Sequence, residues 1–421
     1  MYKANQRIEN KLIATPLISL SPTEKQFLLD HLTDNVSQLV LRPHLPSVDV
    51  RKLAAQITAR QKTRDKLPAW YANNDVLYPP PLSVEQASSE PTARYKASLV
   101  GGALLLDLTG GMGVDAWAFA QRVGQVVYVE RQSELTELAA HNLPLLGAAN
   151  VLFRTGDGLT LVDQLTQPVD WIYLDPHRRD ERGGKVAGLA NCEPNMLRAD
   201  VLAGLLAKSS RILLKTSPLI DIDAAIRQLT DQGVATVTTV HVVAVQGEVK
   251  EVLFVLGKPN ASIYTIEINA VNLLADSNVV FLFNRNHERV AGVTFGDPQR
   301  YLYEPNAAVL KGGAFRLVAA RYNLIKLSPN SHLYTSDTLR PDFPGRAFVL
   351  EHVSRHDRTA LQSLLPTMKA NLTVRNFPQS VVELRKKLAL QEGGDIYIFA
   401  TTLLNGDKRL LITRKINQVA D

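Results

Sequence analysis

A single cysteine, Cys192, stands among 421 residues, so no intrachain disulfide braces this chain and its thiol content suits a reducing cytoplasm. No apolar run approaches the roughly 20 residues of a membrane span and no secretory leader opens the sequence. A soluble, cytoplasmic protein without membrane contact is the expectation. The nine histidines and the lone cysteine never fall at metal-ligand spacing, and no metal is expected. A Gly-x-Ser-x-Gly nucleophile turn is also missing, which removes hydrolase chemistry of that type. Gly183-Gly184-Lys185 lacks P-loop spacing and reads instead as a basic substrate loop. No repeat or low-complexity tract interrupts the chain.

What is present is length and apolar content, 45% hydrophobic over 421 residues, enough for two or three cores and so for more than one domain. The net charge of +6 is uneven. Residues 1–260 hold 27 Lys and Arg against 27 Asp and Glu, whereas 261–421 hold 20 against 14. A basic C-terminal part beside a neutral remainder suits a polyanionic partner, because neutralising phosphates supplies much of nucleic-acid affinity.

The most informative stretch runs from Leu104 to Asp115, Leu-Leu-Leu-Asp-Leu-Thr-Gly-Gly-Met-Gly-Val-Asp. An apolar strand ends at Asp107, and Thr109, Gly110, Gly111 and Gly113 form a turn with the positive-φ freedom and close approach that a ligand cradle requires. A helix over Asp115–Val123 follows. Gly111-x-Gly113-x-x-Ala116 satisfies a relaxed dinucleotide fingerprint, and S-adenosylmethionine uses the same kind of cradle. A second strand, Gln125–Val129, delivers Glu130, placed for ribose hydroxyls that both cofactors carry. Asp107 separates the two readings: a carboxylate there repels a pyrophosphate but attracts a sulfonium and an ammonium. Gly156-Asp157-Gly158 after a third strand offers Asp157 for the adenine amino group. Val169-Asp-Trp-Ile-Tyr-Leu-Asp175-Pro176 ends a fourth.

These motifs, in this order, resemble those of class I S-adenosylmethionine-dependent methyltransferases. Four further segments, Leu82–Ala93, Asp175-Pro-His-Arg-Arg-Asp, Leu214-Lys-Thr-Ser-Pro-Leu-Ile-Asp-Ile and Tyr303-Glu-Pro-Asn-Ala-Ala-Val-Leu-Lys-Gly-Gly, are similar to a bacterial methyltransferase family. Its members join that core to a ferredoxin-like segment and a C-terminal THUMP-like domain. The resemblance implies an α/β protein. Its Rossmann-like, doubly wound core (81–260) would carry a helical N-terminal subdomain (1–80), a ferredoxin-like connecting segment (261–345) and an α+β THUMP-like domain (346–421). It also implies S-adenosylmethionine as cofactor and RNA as substrate, and it alone draws attention to Tyr303–Asn306 and Lys311.

The acceptor end is read at Asp175, Pro176, His177 and Arg178. Amino-group methyltransferases commonly carry Asp/Asn-Pro-Pro-aromatic there; this chain keeps the first two and replaces the second proline and the ring. Amine methylation on a base nitrogen is the expected reaction. Arg178 or Arg179 would stack as a planar cation or hold a phosphate, and His177 would take a proton. Arg179, Lys185, Arg385, Lys386, Lys387 and Lys408 form the expected RNA contacts. A binding module that keeps the pocket without transferring methyl groups, and a nicotinamide-dependent dehydrogenase, are the alternatives.

Local signals complete the reading. Ser21-Pro-Thr-Glu24 is a capping box, Asp49–Lys66 has helical apolar spacing, Leu67-Pro68 ends helical structure, and Ser83-x-Glu85-Gln86 opens another helix. Arg211–Lys215 reads as a core strand, and Ala235–Val245 and Glu251–Leu256 as β-structure. Further on, Ala307–Tyr322 and Val381–Leu390 read as helices, and a hairpin turns at Asn405-Gly406.

Overall fold

A computed structural model of the chain describes residues 20–41, 48–178, 189, 192–259, 265–275 and 277–416, with only the backbone of 177–178. The chain divides into two compact units. One runs up to Val237 and takes in Leu253–Ala261; the other comprises Thr238–Val252 and the chain from Ser262 onward.

The first unit opens with helices α1 (Pro22–Asp30), α2 (Val36–Val40), α3 (Val50–Thr63), α4 (Pro68–Ala72), α5 (Pro81–Gln86) and α6 (Glu90–Ser98). Ser21 and Glu24 close the predicted capping box on α1, and Asp49 caps α3 through the Arg51 and Lys52 N–H groups. Two expectations fail at prolines. Pro68 begins α4 rather than ending helical structure, because a residue without an N–H costs nothing in a first turn. Ser83 is no cap: Pro80 and Pro81 start α5 earlier and leave Ser83 inside it.

A parallel sheet follows, with α-helical crossovers. Its elements are β1 (Leu104–Asp107), α7 (Val114–Phe119), β2 (Gln125–Glu130), α8 (Ser133–Leu145), β3 (Val151–Thr155), α9 (Gly158–Asp163) and β4 (Val169–Leu174). The short pair β5 (His177–Arg178) and β6 (Cys192–Glu193) precedes α10 (Ala199–Lys208), β7 (Ser209–Thr216) and α11 (Ile222–Thr230). The strand order is β3-β2-β1-β4-β7, parallel throughout, the doubly wound arrangement of a Rossmann-like sheet. Leu105, Leu106, Val126, Ile172 and Ile212–Leu214 are fully buried, as strands covered on both faces must be. The strand order reverses between β1 and β4, so their C-terminal ends border the crevice where such sheets hold ligands. Asp107 ends β1, and Asp175 follows β4 directly.

The helical segment is fastened to this sheet by polar bonds. Asn142 of α8 is fully buried and exchanges two hydrogen bonds with the backbone of Leu77, at 2.9 and 2.7 Å. A second tie, through Lys96 of α6, reaches the glycine turn and is described with the site.

The remaining strands begin with β8 (Thr236–Val245) and β9 (Glu248–Gly257). In the second unit β8 pairs parallel with β10 (Glu267–Leu273), which pairs antiparallel with β11 (Asn278–Asn284). Then come α12 (Arg285–Val290), β12 (Thr294–Phe295), β13 (Tyr301–Pro305), α13 (Ala307–Gly312), α14 (Leu317–Arg321), β14 (Ile325–Lys326) and β15 (Tyr334–Ser336). The chain closes with β16 (Gly345–Arg355), α15 (Arg358–Leu364), β17 (Asn371–Arg375), α16 (Val381–Leu388), β18 (Ile396–Thr402) and β19 (Lys408–Lys415). From β12 on, these strands form one sheet in the order β12-β14-β15-β13-β16-β19-β18-β17.

The single helix expected over 307–322 is two. Gly313 adopts φ +83° after α13 and turns its N–H back on Val309 and Leu310, a left-handed cap that stops the helix. Glu288 then accepts from the N–H groups of Phe315, Arg316 and Leu317 and starts α14. Asn405-Gly406 does lie in the β18–β19 hairpin. Leu403 and Asp407 close the loop, with Gly406 at φ +88°.

Candidate active site

The glycine turn is shaped by Tyr128 of β2. Its hydroxyl donates to the Gly111 carbonyl at 2.6 Å. A Cβ on Gly110 would lie 2.2 Å from its ring, so Gly110 is required for close approach. Gly113, at φ +89°, supplies the left-handed N-cap of α7 that only glycine adopts without strain.

Four carboxyl groups and two lysines surround this turn. Asp107 is completely buried: its Oδ1 accepts from the Thr109 N–H at 3.1 Å, and its Oδ2 has no hydrogen-bond partner. Burial, reinforced by the neighbouring charges of Asp115, Asp175 and Glu130, pushes its pKa well above the usual carboxylate range. From its sequence position Asp107 is expected to be a fixed negative charge, whereas here it is a buried acid that holds its proton readily. Asp115, at the start of α7, behaves oppositely. Burial opposes its ionisation, but Lys96 and Lys215, with hydrogen bonds from Tyr173 and Ser88, hold its pKa below the usual value. Lys96 is fully buried, 3.3 Å from Asp115 and 3.2 Å from the Ser88 hydroxyl. The Tyr173 hydroxyl donates to Asp115 at 2.7 Å.

Glu130, ending β2, accepts from the Gly111 N–H through Oε2 and from the Gln132 N–H through Oε1, both at 2.9 Å. Its carboxylate is thereby fixed over the turn with lone pairs remaining. Thr109 joins the two strand ends: its Oγ1 accepts from the Asp175 N–H at 2.7 Å. Asp175 in turn forms an ion pair with Lys215 of β7, a side chain only 13% exposed. Lys215 is therefore no solvated strand-end lysine.

Asp157 sits otherwise than a purely ligand-facing acid would. Its Oδ1 caps α9 through the Thr160 N–H, while Arg131 donates to Oδ2, from Nε at 3.1 Å. Burial opposes ionisation, yet the Thr160 and Arg131 bonds keep its pKa low. Arg131 also reaches Glu193 of β6 at 3.0 Å. The structure thus brings Asp107, Thr109, Gly111, Gly113, Glu130, Asp157 and Asp175-Pro176 to the C-terminal ends of neighbouring strands. It describes His177 and Arg178 only as backbone of β5, and Arg179 and Lys185 lie outside the described residues.

Lys96, Ser88, Tyr173 and Arg131 were missed by the sequence reading. Lys96 had a signal. Thr92, Ala93, Lys96 and Ala97 share the buried stripe of α6, and a lysine on such a stripe must find a buried partner.

The remaining candidates belong to the second unit. Lys386 lies beside a groove of about 670 Å³ along α16, lined also by Val381, Val382, Arg385 and Leu390. Arg385 pairs with Glu392 at 2.7 Å and is only 22% exposed. Lys311 lies in the last turn of α13. Among the described residues no group of His, Cys, Asp and Glu could hold a metal ion, and no helix is long and apolar enough to cross a membrane.

Comparison with known proteins gives consistent results along the chain. Residues 301–344 match a ferredoxin-like domain, 345–415 a THUMP-like domain, and 73–176 the protein-L-isoaspartate O-methyltransferase family. The crystal structure of a Porphyromonas gingivalis W83 protein assigned to the methyltransferases superposes with a TM-score of 0.81. That protein is 35% identical, with 94% of this chain and 98% of that one covered. An uncharacterized S-adenosylmethionine-dependent methyltransferase of Mycobacterium tuberculosis is 22% identical over 76% of this chain and 83% of its own. Protein-L-isoaspartate O-methyltransferase of Brucella anthropi is 40% identical over 29% of this chain and 57% of its own.

Proposed function

We propose that this chain, which belongs to the S-adenosylmethionine-dependent methyltransferases that carry ferredoxin-like and THUMP-like domains, methylates RNA, with a base nitrogen as acceptor. One observation carries the choice of RNA. The THUMP-like range 345–415 contains twelve Lys and Arg against six Asp and Glu, a surplus equal to the net +6 of the entire chain. Such a concentration of charge on a module appended to a methyltransferase core supplies the phosphate-neutralising term of nucleic-acid binding. The isoaspartate methyltransferase match stops at Pro176. It covers the cofactor strands and, of the acceptor loop, only Asp175-Pro176.

The residues around the glycine turn fit the methyl donor. Bound S-adenosylmethionine supplies a sulfonium-activated methyl group, so the protein's work is orientation and charge placement. Asp107, with its unpartnered buried oxygen, faces the cationic methionine end. Gly111 and Gly113 admit the backbone to that moiety, with Thr109 fixing the turn. Glu130, pinned by two N–H groups, accepts from the ribose hydroxyls, and Asp157 accepts from the adenine amino group beside Arg131. At the acceptor end Asp175 accepts a hydrogen bond from the target amine, and Pro176, His177 and Arg178 border it. Lys215 holds the Asp175 carboxylate in place through its ion pair. Arg179, Lys185, Lys386, Lys387 and Lys408, with Arg385 in its paired state, contact the RNA.

Mass spectrometry of nucleosides from RNA of cells with and without the protein tests this reading. One methylated base should disappear when the protein is absent. An unchanged nucleoside profile would contradict it.

A further inference from the structure

The segment Tyr303-Glu-Pro-Asn finds its physical role at Glu304. This carboxylate is 4% exposed and lies between two arginines. Arg346 of β16 donates to Oε2 from Nε at 3.0 Å and from Nη2. Arg375 of β17 donates to Oε1 from Nε at 3.0 Å and from Nη2 at 2.8 Å. In the sheet β17 stands four places from β13, about 19 Å away were the sheet flat, farther than a glutamate and an arginine reach together. Coiling of the sheet brings them together. The carboxylate falls in the ferredoxin-like range and both arginines in the THUMP-like range, so the triad staples the two segments.

It does so with an uncompensated positive charge. A guanidinium has five N–H groups, and each of these spends two on Glu304, leaving three. Arg346 is 41% exposed and Arg375 34%, so both side chains border solvent. Both forks are already immobilised, Arg346 also by the Phe348 and Tyr397 rings at 5.4 and 5.8 Å. Little further order is needed to bind a tetrahedral oxyanion. The surrounding field is positive as well: beyond its burial, Lys326 and Arg375 hold His332 down to about 4.

We propose that Arg346 and Arg375 form a phosphate-binding site, preorganised by Glu304, that takes a backbone phosphate of the RNA. The inference rests on the RNA reading above and adds a location to it.

The test is binding of a fluorescent twelve-nucleotide oligouridylate to the full chain across a salt series. Each of Arg346→Gln and Arg375→Gln should weaken binding about five- to tenfold at low salt. Each should also lower the slope of log affinity against log salt by about 0.7, the value for one single-strand phosphate contact. Glu304→Gln keeps both arginine charges but releases their forks, so it should weaken binding about two- to fivefold at low salt with the salt slope unchanged; a purely structural staple leaves the affinity of the folded variant at the wild-type value. If a glutamine variant melts early, the lysine variant at that arginine keeps the charge and should keep the salt slope. Wild-type slopes in folded arginine variants, or wild-type affinity in folded Glu304→Gln, would overturn the site while leaving the RNA reading intact. Failure of the wild-type chain to bind the oligonucleotide would overturn both.

Discussion

Replacing Asp107 with asparagine separates stability from function. The carboxyl is fully buried with one oxygen unpartnered, and burial raises its pKa well above the ordinary range. Below about 3.9, the unfolded value, both states carry the proton and the fold bears no charge there. As pH rises beyond that, the unfolded chain releases the proton while the folded one retains it, so stability falls until the pH passes the raised folded value. At neutral pH the wild-type protein therefore carries a destabilising group, at a cost of about 1.4 kcal/mol for each unit by which the folded pKa is raised. The asparagine side chain would retain the oxygen that accepts from the Thr109 N–H and remove the ionisation. Converted at about 2–4 °C per kcal/mol for a unit of this size, Asp107→Asn should raise the melting temperature at pH 7.5 by roughly 3–5 °C for each unit by which the folded pKa is raised. The difference should shrink toward pH 4. The sulfonium and ammonium of bound S-adenosylmethionine favour the ionised carboxyl, so affinity for it should fall about 10- to 100-fold in Asp107→Asn, the worth of one charge contact at an intermediate dielectric. S-adenosylhomocysteine, which lacks the sulfonium, should lose less. Thermal melts across pH 4–8 and calorimetry with both ligands measure each part. A lower melting temperature at neutral pH, or equal losses for the two ligands, would refute the reasoning.

Three more perturbations probe the same region and the second unit. Lys96→Met leaves Asp115 buried without its paired cation, with only the charge of Lys215 nearby, and should cost about 3–5 kcal/mol, read as an early melt that Lys96→Met/Asp115→Asn largely restores. Lys215→Met frees the Asp175 carboxylate; methyl transfer should fall about 100-fold through misplacement, while calorimetry finds methyl-donor affinity within about threefold of wild type. Burial holds His241 down to about 4, so its contribution is intact above its unfolded value near 6.5 and is lost as pH falls toward 4. His241→Gln should flatten the pH dependence of stability in that window, as chemical denaturation at each pH would show.

The parts of the site that were legible in the sequence are those made by consecutive residues. Asp107 and Glu130 announce themselves because an apolar strand must stop before a charge, and Asp175-Pro176 marks a strand end in the same way. The glycine turn is readable since few other residues accept its backbone, although Gly110 serves by yielding space to Tyr128 and not by its φ. Pairings between distant segments leave no local trace of which partner is met, even where a buried lysine such as Lys96 shows that one is needed. Nothing near Asp115 points to Lys96 or Tyr173, and the Lys215 pairing depends on β7 lying beside β4. Proline cuts both ways, since Pro68 starts a helix where it reads as the end of one, and Pro81 starts α5 ahead of the cap expected at Ser83. In the second unit the β18–β19 turn was visible in Asn405-Gly406, whereas the coiling that brings Arg375 to Glu304 is a property of the sheet as a whole.

Transfer of tritium from methyl-labelled S-adenosylmethionine to fractionated cell extract tests the central claim most directly. Label should accumulate in the ribonuclease-sensitive fraction and vanish with Asp175→Ala, a variant that still binds the methyl donor. Label confined to protein, or transfer to RNA undiminished in Asp175→Ala, would contradict the account.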